Sequence, residues 1–394
     1  MHPDFSARAD ALLEHITMRA DGVPGVVAMV SDGRELLYQG AAGRRELGRE
    51  APMTLDTVLC LFSCTKAITG VALMQLVEEG LVGLDDPVYR HVPEIAEIEV
   101  LEGFTPAGEP ITRPPRSPVT VGQLMLHTAG FGYEFFDPDD LKFRRARGIP
   151  NVVSCRFDAI RTVLLSDPGE RWHYGCSIDW VGKVVEAVRG RPLGQVMAER
   201  IFGPLDMRDT AFVLTPSMQS RRATVHGRSR DGLLRPLANM MLPQPPEMHM
   251  GGQGLYGTAG DYMKFIRMVL NNGDGPRGRV LEAATVDFMS RRGPPAPGVG
   301  GWTTAAPPLA NAGEFFPGLR KSWAYTFMVN DEDTPTGRPA GSLMWTGLGN
   351  LYYWIDRKNR IGGFWGTQIL PFQDVASYPG FVDFESAVYR TLKR

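Results

Sequence analysis

The chain has 394 residues, 42 of them Lys or Arg and 44 Asp or Glu, so its formal net charge is −2. Acids and bases are interspersed without a long run of one sign, which excludes a basic nucleic-acid surface and a charged membrane-surface patch. The N-terminal segment lacks the apolar core of a secretory signal and no apolar stretch could span a bilayer, so we expect a cytoplasmic protein whose partner is a small molecule, with neither nucleic acid nor membrane as a partner.

The first part of the chain predicts a helix, two strands and a second helix. After an amphipathic helix, GVVAMVSDG and ELLYQGAAG read as strands joined at Asp32-Gly33, a dipeptide typical of tight hairpins. From Cys64 the apolar residues recur with helical spacing until Gly80, so Ser63 stands at the start of a helix. Residues 103–118 are dense in Pro and Gly and predict an excursion loop or a hairpin.

The middle of the chain is mainly helical. A helix is predicted from Ser177 to Gly190 and another over LGQVMAERIF. A further helix follows Thr258, because Thr258 and Asp261 have the spacing of a capping box. Two segments are too irregular for helix or strand and are long for structureless loops: 237–252 and 293–313.

The last part of the chain returns to strands, because SLMWTGLGNLYYWIDRKNRIGGFWGTQIL alternates β-forming residues with turn signals. Strands near both ends with helices between them predict an α/β fold of the α+β type. In this fold an antiparallel sheet is built from both chain termini and flanked by helices, and a mainly helical domain is inserted. The length of the chain also exceeds what one core usually supports. We expect a sheet domain at 1–60 and 255–394, a helical domain with long loops at 61–254, and an active site at their seam.

Lys66 lies three residues after Ser63, and no other serine of the chain has a lysine at this spacing. Residues three apart on a helix share a face, so the Lys66 amine can approach the Ser63 hydroxyl. Serine becomes nucleophilic when a base takes its proton, and lysine is such a base when burial depresses its pKa. The alternative, which the spacing alone favours, is that Ser63 is a helix cap worth about 1 kcal/mol and Lys66 is exposed.

Tyr174 precedes the helix predicted at Ser177. A phenolate is favoured next to a cationic lysine, so Tyr174 is a candidate base for Ser63 and a candidate acid for the leaving group. The alternative is an aromatic side chain that packs at the domain seam. The adjacent His173 is expected to be a packed residue without a catalytic role.

The stretch MWTGLGNLYYW suggests a strand that begins at Trp345. Gly347 would let a ligand approach the backbone closely. A strand edge beside a helix start would direct the N–H groups of Ser63 and Leu348 at one point, as in an oxyanion hole. The alternative is an ordinary aromatic strand.

An apolar acyl or alcohol pocket is the last predicted feature. Its candidates are an aromatic cluster that includes Phe131 and Tyr133, and a Met-rich loop that includes Met248. Core packing is the alternative for both groups. The four cysteines lack zinc-site spacing, so we predict reduced thiols, no metal and no cofactor. The sequence gives no prediction of oligomeric state.

Taken in order, these stretches resemble the serine β-lactamase and penicillin-recognising superfamily, most closely the carboxylesterases with the class C β-lactamase fold (family VIII esterases). Ser63-Cys64-Thr65-Lys66 resembles the Ser-x-x-Lys box of that superfamily. The other matching segments are LMLHTAGFG (124–132), Tyr174-Gly175-Cys176 in place of Tyr-x-Asn, GGQGLYGTAGDYMKF (251–265), and Trp345-Thr346-Gly347 in place of Lys-Thr-Gly.

The resemblance implies a nucleophile at Ser63, proton transfer by Lys66 and Tyr174, and an acyl-enzyme. The cation and the amide that bind lactam antibiotics are replaced by Trp345 and Cys176, which favours neutral esters. We therefore expect a serine esterase for short to medium neutral carboxylic esters. The alternatives are an acyltransferase that uses the same acyl-enzyme, an amide or β-lactam hydrolase, and, from another class, a non-catalytic sensor with an acylable serine.

Overall fold

The computed structural model describes residues 3–293 and 298–392 of the chain, and all elements below lie in these ranges. The helices, in chain order, are α1 Pro3–Met18, α2 Thr65–Glu78, α3 Val121–Met125, α4 Pro138–Arg147, α5 Ser177–Arg189, α6 Leu193–Met197, α7 Gly203–Leu205, α8 Pro216–Ser220, α9 Ala259–Leu270, α10 Ala283–Met289 and α11 Ser377–Leu392. The strands are β1 Gly25–Asp32, β2 Leu36–Gly43, β3 Val58–Cys60, β4 Val100–Phe104, β5 Pro110–Arg113, β6 His226–Arg228, β7 Leu234–Pro236, β8 Tyr256–Thr258, β9 Asp274–Gly275, β10 Gly278–Arg279, β11 Lys321–Trp323, β12 Met328–Asn330, β13 Leu343–Gly347, β14 Leu351–Asp356, β15 Ile361–Gly366 and β16 Ile369–Leu370.

The main sheet is built from both ends of the chain. Within the described residues it has seven strands in the order β11-β12-β13-β14-β15-β1-β2, and neighbouring strands are antiparallel. The predicted hairpin joins β1 to β2, and the Asp32 carboxylate accepts the N–H groups of Arg34 and Glu35 at 2.6 and 2.8 Å. These observations confirm the predicted fold class. The domain limits at 1–60, 61–254 and 255–394 stay a prediction.

Helices cover both faces of this sheet. Successive residues of β15 point to opposite faces: Phe364 contacts Tyr262 of α9, with ring centroids 5.3 Å apart, whereas Trp365 contacts Phe384 of α11 at 5.9 Å. The α1 helix packs on α11 and β2. Because both faces are covered, β13, β14 and β15 are buried along their whole length, which explains their nearly continuous apolar sequence.

The α2 helix is buried on all sides over residues 65–76. It packs against α5 and α6, and the backbone carbonyl of Lys66 accepts a hydrogen bond of 2.7 Å from the Thr326 hydroxyl. A lysine in the first turn of such a helix cannot reach bulk water unless a pocket opens beside it. The burial of α2 therefore sets the electrostatic environment of Lys66.

Several local predictions are confirmed. The Thr258 hydroxyl accepts the Asp261 N–H at 3.2 Å and caps α9. The excursion at 103–118 contains the hairpin formed by β4 and β5, and LGQVMAERIF forms α6 followed by a π-helical turn. The first predicted loop, 237–252, contains neither helix nor strand. In the second predicted loop, 293–313, residues 298–313 also contain neither, and residues 294–297 lie outside the described part of the chain. In the described ranges no helix is both long and apolar enough to cross a membrane.

Candidate active site

Ser63 lies on a tight 3-10 turn, Phe62–Cys64, immediately before α2. The preceding residue, Phe62, has φ of 44°, a left-handed conformation that is costly for a bulky side chain and is held here by burial. The N-cap of α2 is Cys64, so the Ser63 hydroxyl is not the helix cap that the alternative interpretation required. It is free to interact with other side chains.

Lys66 is completely buried, which excludes the solvated lysine of the same alternative. Its Nζ lies 3.1 Å from Ser63 Oγ, 2.9 Å from Tyr133 Oη and 2.8 Å from the Gly252 carbonyl oxygen. Burial lowers the pKa of Lys66 to about 8, although the Asp179 carboxylate acts in the opposite direction. Roughly one tenth of Lys66 is therefore a neutral amine at pH 7, and this form has a lone pair that can accept a proton.

Tyr174 lies on the other side of the Ser63 hydroxyl. Its Oη accepts a hydrogen bond of 2.9 Å from Trp345 Nε1 and is also hydrogen-bonded to Ser63. Burial raises the pKa of the Tyr174 phenol, and Lys66 Nζ lies over the ring face, 4.7 Å from its centroid. The phenolate expected next to Lys66 is therefore not favoured: desolvation outweighs the cation, and the phenol stays protonated.

One charged group near Lys66 was missed in the sequence. Asp179, in the first turn of α5, is fully buried, and its Oδ1 accepts the Gly252 N–H at 2.8 Å. Burial raises the pKa of Asp179 to about 6, and the charge of Lys66 opposes this shift. An acid at a helix start usually indicates only a favourable interaction with the helix dipole. Gly252, whose N–H binds Asp179, is 73 residues away along the chain, so no local sequence pattern connects the two residues.

Tyr133, predicted as a pocket residue, instead borders Lys66. Tyr133 is 1% exposed, and its hydroxyl oxygen lies within hydrogen-bond distance of the Lys66 amine. Burial raises the pKa of this phenol well above its ordinary value, so Tyr133 remains neutral. The amine thus sits between two neutral phenols.

Gly347 ends β13 next to the Ser63 turn. A Cβ at this position would lie 2.4 Å from the Leu61 carbonyl oxygen. Glycine is therefore required because the backbone at Leu61 packs closely against Gly347. The role of Gly347 as a substrate contact stays a prediction. The next residue, Leu348, lines the same pocket as Ser63, which brings together the two residues predicted to form an oxyanion hole.

An aromatic pocket opens beside Ser63. Eight of its eleven lining residues are aromatic. The lining consists of Ser63, Phe135, Phe136, Trp172, Tyr174, Trp302, Phe315, Trp345, Thr346, Leu348 and Phe372. Trp345 is the predicted substrate contact that lies in this wall.

Two other predicted contacts lie elsewhere. Phe131 is fully buried and stacks on Trp180 at a centroid distance of 6.0 Å. Met248 is buried, and its N–H donates to the Cys155 carbonyl oxygen at 2.9 Å. Both residues belong to the interior, as the core-packing alternative stated, so we do not include them among the substrate contacts.

His127 supports the site by packing, and its side chain takes no part in proton transfer. The imidazole is fully buried against the rings of Tyr174 and Trp323, at centroid distances of 5.1 and 5.0 Å. Burial lowers its pKa well below the ordinary value, so the ring is neutral. Its carbonyl oxygen accepts the N–H of His173 at 2.8 Å, which fixes the segment that carries Tyr174.

Comparison with known proteins agrees with this geometry. The Beta-lactamase family model matches residues 9–380. The lovastatin esterase of Penicillium rubens is 33% identical over 368 residues, which cover 89% of this chain and 90% of the relative. A monacolin J acid methylbutanoyltransferase of Aspergillus terreus is also 33% identical, with 98% and 97% coverage.

Solved structures give the same result. A simvastatin synthase (LovD6 mutant) from Aspergillus terreus superimposes with a TM-score of 0.86 at 30% identity, covering 100% of this chain and 98% of the other. EstCE1, a hydrolase with promiscuous acyltransferase activity, superimposes with a TM-score of 0.78 at 22% identity and 98% and 99% coverage, a similarity of fold alone. The resemblance inferred from the sequence motifs is confirmed, and the chain belongs to the beta-lactamase family.

Proposed function

We propose that this protein is a serine esterase that hydrolyses short to medium neutral carboxylic esters through an acyl-enzyme on Ser63. The observation that carries the proposal is the 3.1 Å approach of a fully buried lysine amine to a serine hydroxyl in the wall of an aromatic pocket. The similarity to a lovastatin esterase supports ester chemistry. Assignment to the family VIII esterases and a cytoplasmic location stay predictions.

The lowered pKa of Lys66 supports it as the base for acylation. The indole N–H of Trp345 can only donate, so Tyr174 Oη accepts from it, and the same oxygen is hydrogen-bonded to Ser63. As an ammonium Lys66 donates to Ser63 Oγ at 3.1 Å and to the Gly252 carbonyl at 2.8 Å, and as a free amine it keeps the bond to Gly252 and offers its lone pair to the Ser63 proton. With its pKa lowered to about 8, Lys66 takes the serine proton more readily than the protonated phenol of Tyr174.

The proposed reaction has two halves. Ser63 Oγ attacks the ester carbonyl as its proton moves to Lys66, and the N–H groups of Ser63 and Leu348 stabilise the charge on the carbonyl oxygen. Tyr174 protonates the departing alkoxide, and the Lys66 ammonium restores the phenol proton. In the second half water attacks the acyl group and gives a proton to Lys66, and Lys66 returns that proton to Ser63 Oγ as the acyl C–O bond breaks, which releases the acid and the free Ser63 hydroxyl.

The charge of the pocket supports a neutral substrate. None of the residues that form the described lining is charged, and Trp345 offers an aromatic face where the related β-lactamases carry a lysine. An anionic substrate would lose its hydration in this pocket without gaining a cation. A neutral ester with an apolar acyl group fits the wall better.

Acyl transfer is the second candidate. The described lining offers few groups that can hold a water, namely the hydroxyls of Ser63, Thr346 and Tyr174 and the indole N–H groups, and the Tyr174 oxygen already accepts from Trp345. The similarity to a methylbutanoyltransferase over 98% of the chain favours the same outcome. A bound alcohol would then replace water in the second half-reaction.

The nucleophile is tested by intact-protein mass spectrometry with a fluorophosphonate. We expect one adduct on the wild type and on Ser229→Ala, a variant of an exposed serine, and none on Ser63→Ala. An adduct that persists on Ser63→Ala would refute the proposed nucleophile.

The reaction type is tested by turnover of p-nitrophenyl butanoate with and without an added alcohol. A hydrolase releases butanoate continuously without acceptor, whereas a strict transferase stops after one acyl group per site until alcohol is added. Faster turnover of a cephalosporin than of the aryl ester would instead establish β-lactam hydrolysis. Stoichiometric acylation that no acceptor relieves would identify a sensor.

A further inference from the structure

Trp302, which lines the aromatic pocket, is the first residue of the segment 302–313, which we call the strap. The strap contains neither helix nor strand, but its two ends pair with each other: the Trp302 N–H donates to the Gly313 carbonyl at 2.8 Å, and the Gly313 N–H returns to the Trp302 carbonyl at 3.1 Å. The Trp302 indole N–H is held by the Asn311 carbonyl at 2.9 Å. The polar edge of the indole is thus satisfied within the strap, and its apolar surface is left to line the pocket.

The strap is tied to the segment that precedes α4. The Thr303 hydroxyl donates to the Phe136 carbonyl at 2.7 Å, and the Ala305 N–H donates to the Phe135 carbonyl at 2.9 Å. Both phenylalanines also line the pocket. The strap therefore continues the aromatic wall that begins at Phe135.

The other end of the strap is tied to the C-terminal part of the chain. The Asn311 N–H donates to the Phe372 carbonyl at 3.1 Å, and the Phe372 N–H donates to the Leu309 carbonyl at 2.8 Å. Hydrogen bonds to both sides hold the position of the strap. Trp302 is consequently a fixed wall in this structure.

Trp302 lies where three other aromatic residues of the pocket meet. Its ring centroid is 5.0 Å from Phe315, 5.6 Å from Phe372 and 6.1 Å from Phe136. We propose that Trp302 is the specificity-determining residue that limits the length of the acyl group accepted on Ser63. This inference rests on the proposed acyl-enzyme and adds to it the residue that sets the substrate size.

The acyl group, and not the alcohol, is the part of the ester assigned to this wall. During the reaction the acyl group stays on Ser63, whereas the alcohol must leave and water or an acceptor must enter. A wall held by hydrogen bonds from both sides suits the group that remains. Aromatic surface that is already buried also binds a methylene chain without a cost for polar groups.

The test is the chain-length profile of Trp302→Ala on p-nitrophenyl acetate, butanoate, hexanoate and octanoate. Each methylene that gains a buried position should raise kcat/KM about fourfold. With two more methylenes accommodated, we expect the octanoate-to-butanoate ratio of kcat/KM to rise about tenfold or more over wild type. Phe288→Ala, which removes an exposed aromatic that stacks on Tyr325, is the matched control and should keep the wild-type ratio.

A second series, the methyl to hexyl acetates, distinguishes the acyl side from the alcohol side. If Trp302→Ala changes the alcohol profile and leaves the acyl profile unchanged, the acyl assignment is wrong. An unchanged acyl profile in a variant that still forms the fluorophosphonate adduct also overturns the inference.

Failure of the proposed function gives a different result, because the wild type would then neither form the adduct nor hydrolyse any ester of the series. Should Trp302→Ala lose the adduct through misfolding, Trp302→Leu keeps the wall apolar while shortening it. Its octanoate-to-butanoate ratio should lie between those of wild type and the expected Ala profile. A wild-type ratio in a labelled Leu variant contradicts the inference.

Discussion

Replacing Asp179 by asparagine should move the acid limb of the pH–rate profile to lower pH. The Asp179 carboxylate is buried near Lys66 and favours the ammonium form, so it raises the pKa that burial has lowered to about 8. Removing the negative charge removes this opposition, and the pKa of Lys66 must fall further. Asparagine keeps an oxygen for the Gly252 N–H that Asp179 Oδ1 accepts at 2.8 Å.

The size of the effect follows from the two pKa values. With a pKa of about 8, roughly one tenth of Lys66 is the free amine at pH 7, and the Asp179 carboxyl, with a pKa near 6, is mostly ionised there. Loss of an adjacent opposite charge lowers a pKa by about 1–3 units. The free amine then makes up about half or more of Lys66 at pH 7. The plateau rate at alkaline pH should fall, because an amine of lower pKa is a weaker general base.

The assay is the second-order rate of p-nitrophenyl acetate acylation from pH 5 to 10. Asp261→Asn is the matched control, because Asp261 is also a buried carboxylate that accepts a backbone N–H, from Asp209 at 2.8 Å, and pairs with a lysine. Its inflection should stay near that of the wild type. An inflection in Asp179→Asn that is unchanged or higher would refute Lys66 as the base whose protonation limits acylation.

Three further substitutions test other parts of the structure. Trp345→Phe leaves the Tyr174 oxygen without its indole donor, and loss of a buried hydrogen bond worth about 1–3 kcal/mol should lower kcat/KM for a p-nitrophenyl ester about 5- to 150-fold, while the fluorophosphonate adduct still forms. Gly347→Ala places a Cβ against a carbonyl oxygen and should destabilise the fold by about 1–3 kcal/mol in urea titration; unchanged stability would show that the strand can shift without cost. Arg338→Met leaves the Glu385 carboxylate, 3.2 Å away and likewise fully buried, without its cation, and should cost about 3–5 kcal/mol by the same assay. A loss below about 1 kcal/mol would mean that Glu385 becomes protonated at little cost.

Apart from Tyr174, Trp345 and Leu348, which the motifs of the family indicated, the features that the sequence predicted are those in which interacting residues are close along the chain. Ser63 and Lys66 share a helical turn, Thr258 and Asp261 form a local cap, and the hairpin after Asp32 needs only neighbouring residues. In each case backbone geometry of one turn brings the groups together. Local sequence is then sufficient to identify them.

The rest of the site depends on contacts between distant segments. Asp179 reaches Lys66 through Gly252, and the strap residue Trp302 reaches the pocket only because loops from other parts of the chain hold it there. No periodicity marks either residue. An aromatic or methionine cluster in sequence likewise cannot distinguish a pocket wall from a core, which is why Phe131 and Met248 were expected in the pocket although both pack in the interior.

The replacement of a lysine by Trp345 is the physical basis of the proposed preference for esters over amides. The indole donates a hydrogen bond that lowers the pKa of Tyr174 but brings no charge, and burial still holds the pKa of this phenol above its ordinary value. A phenol of raised pKa is a weak acid, yet it still protonates an alkoxide, which is a stronger base than the phenolate. An amine, in contrast, must be protonated on nitrogen before the C–N bond breaks, and this requires a more effective acid at an earlier stage. Proton transfer in an uncharged aromatic pocket therefore favours the leaving group that needs least assistance.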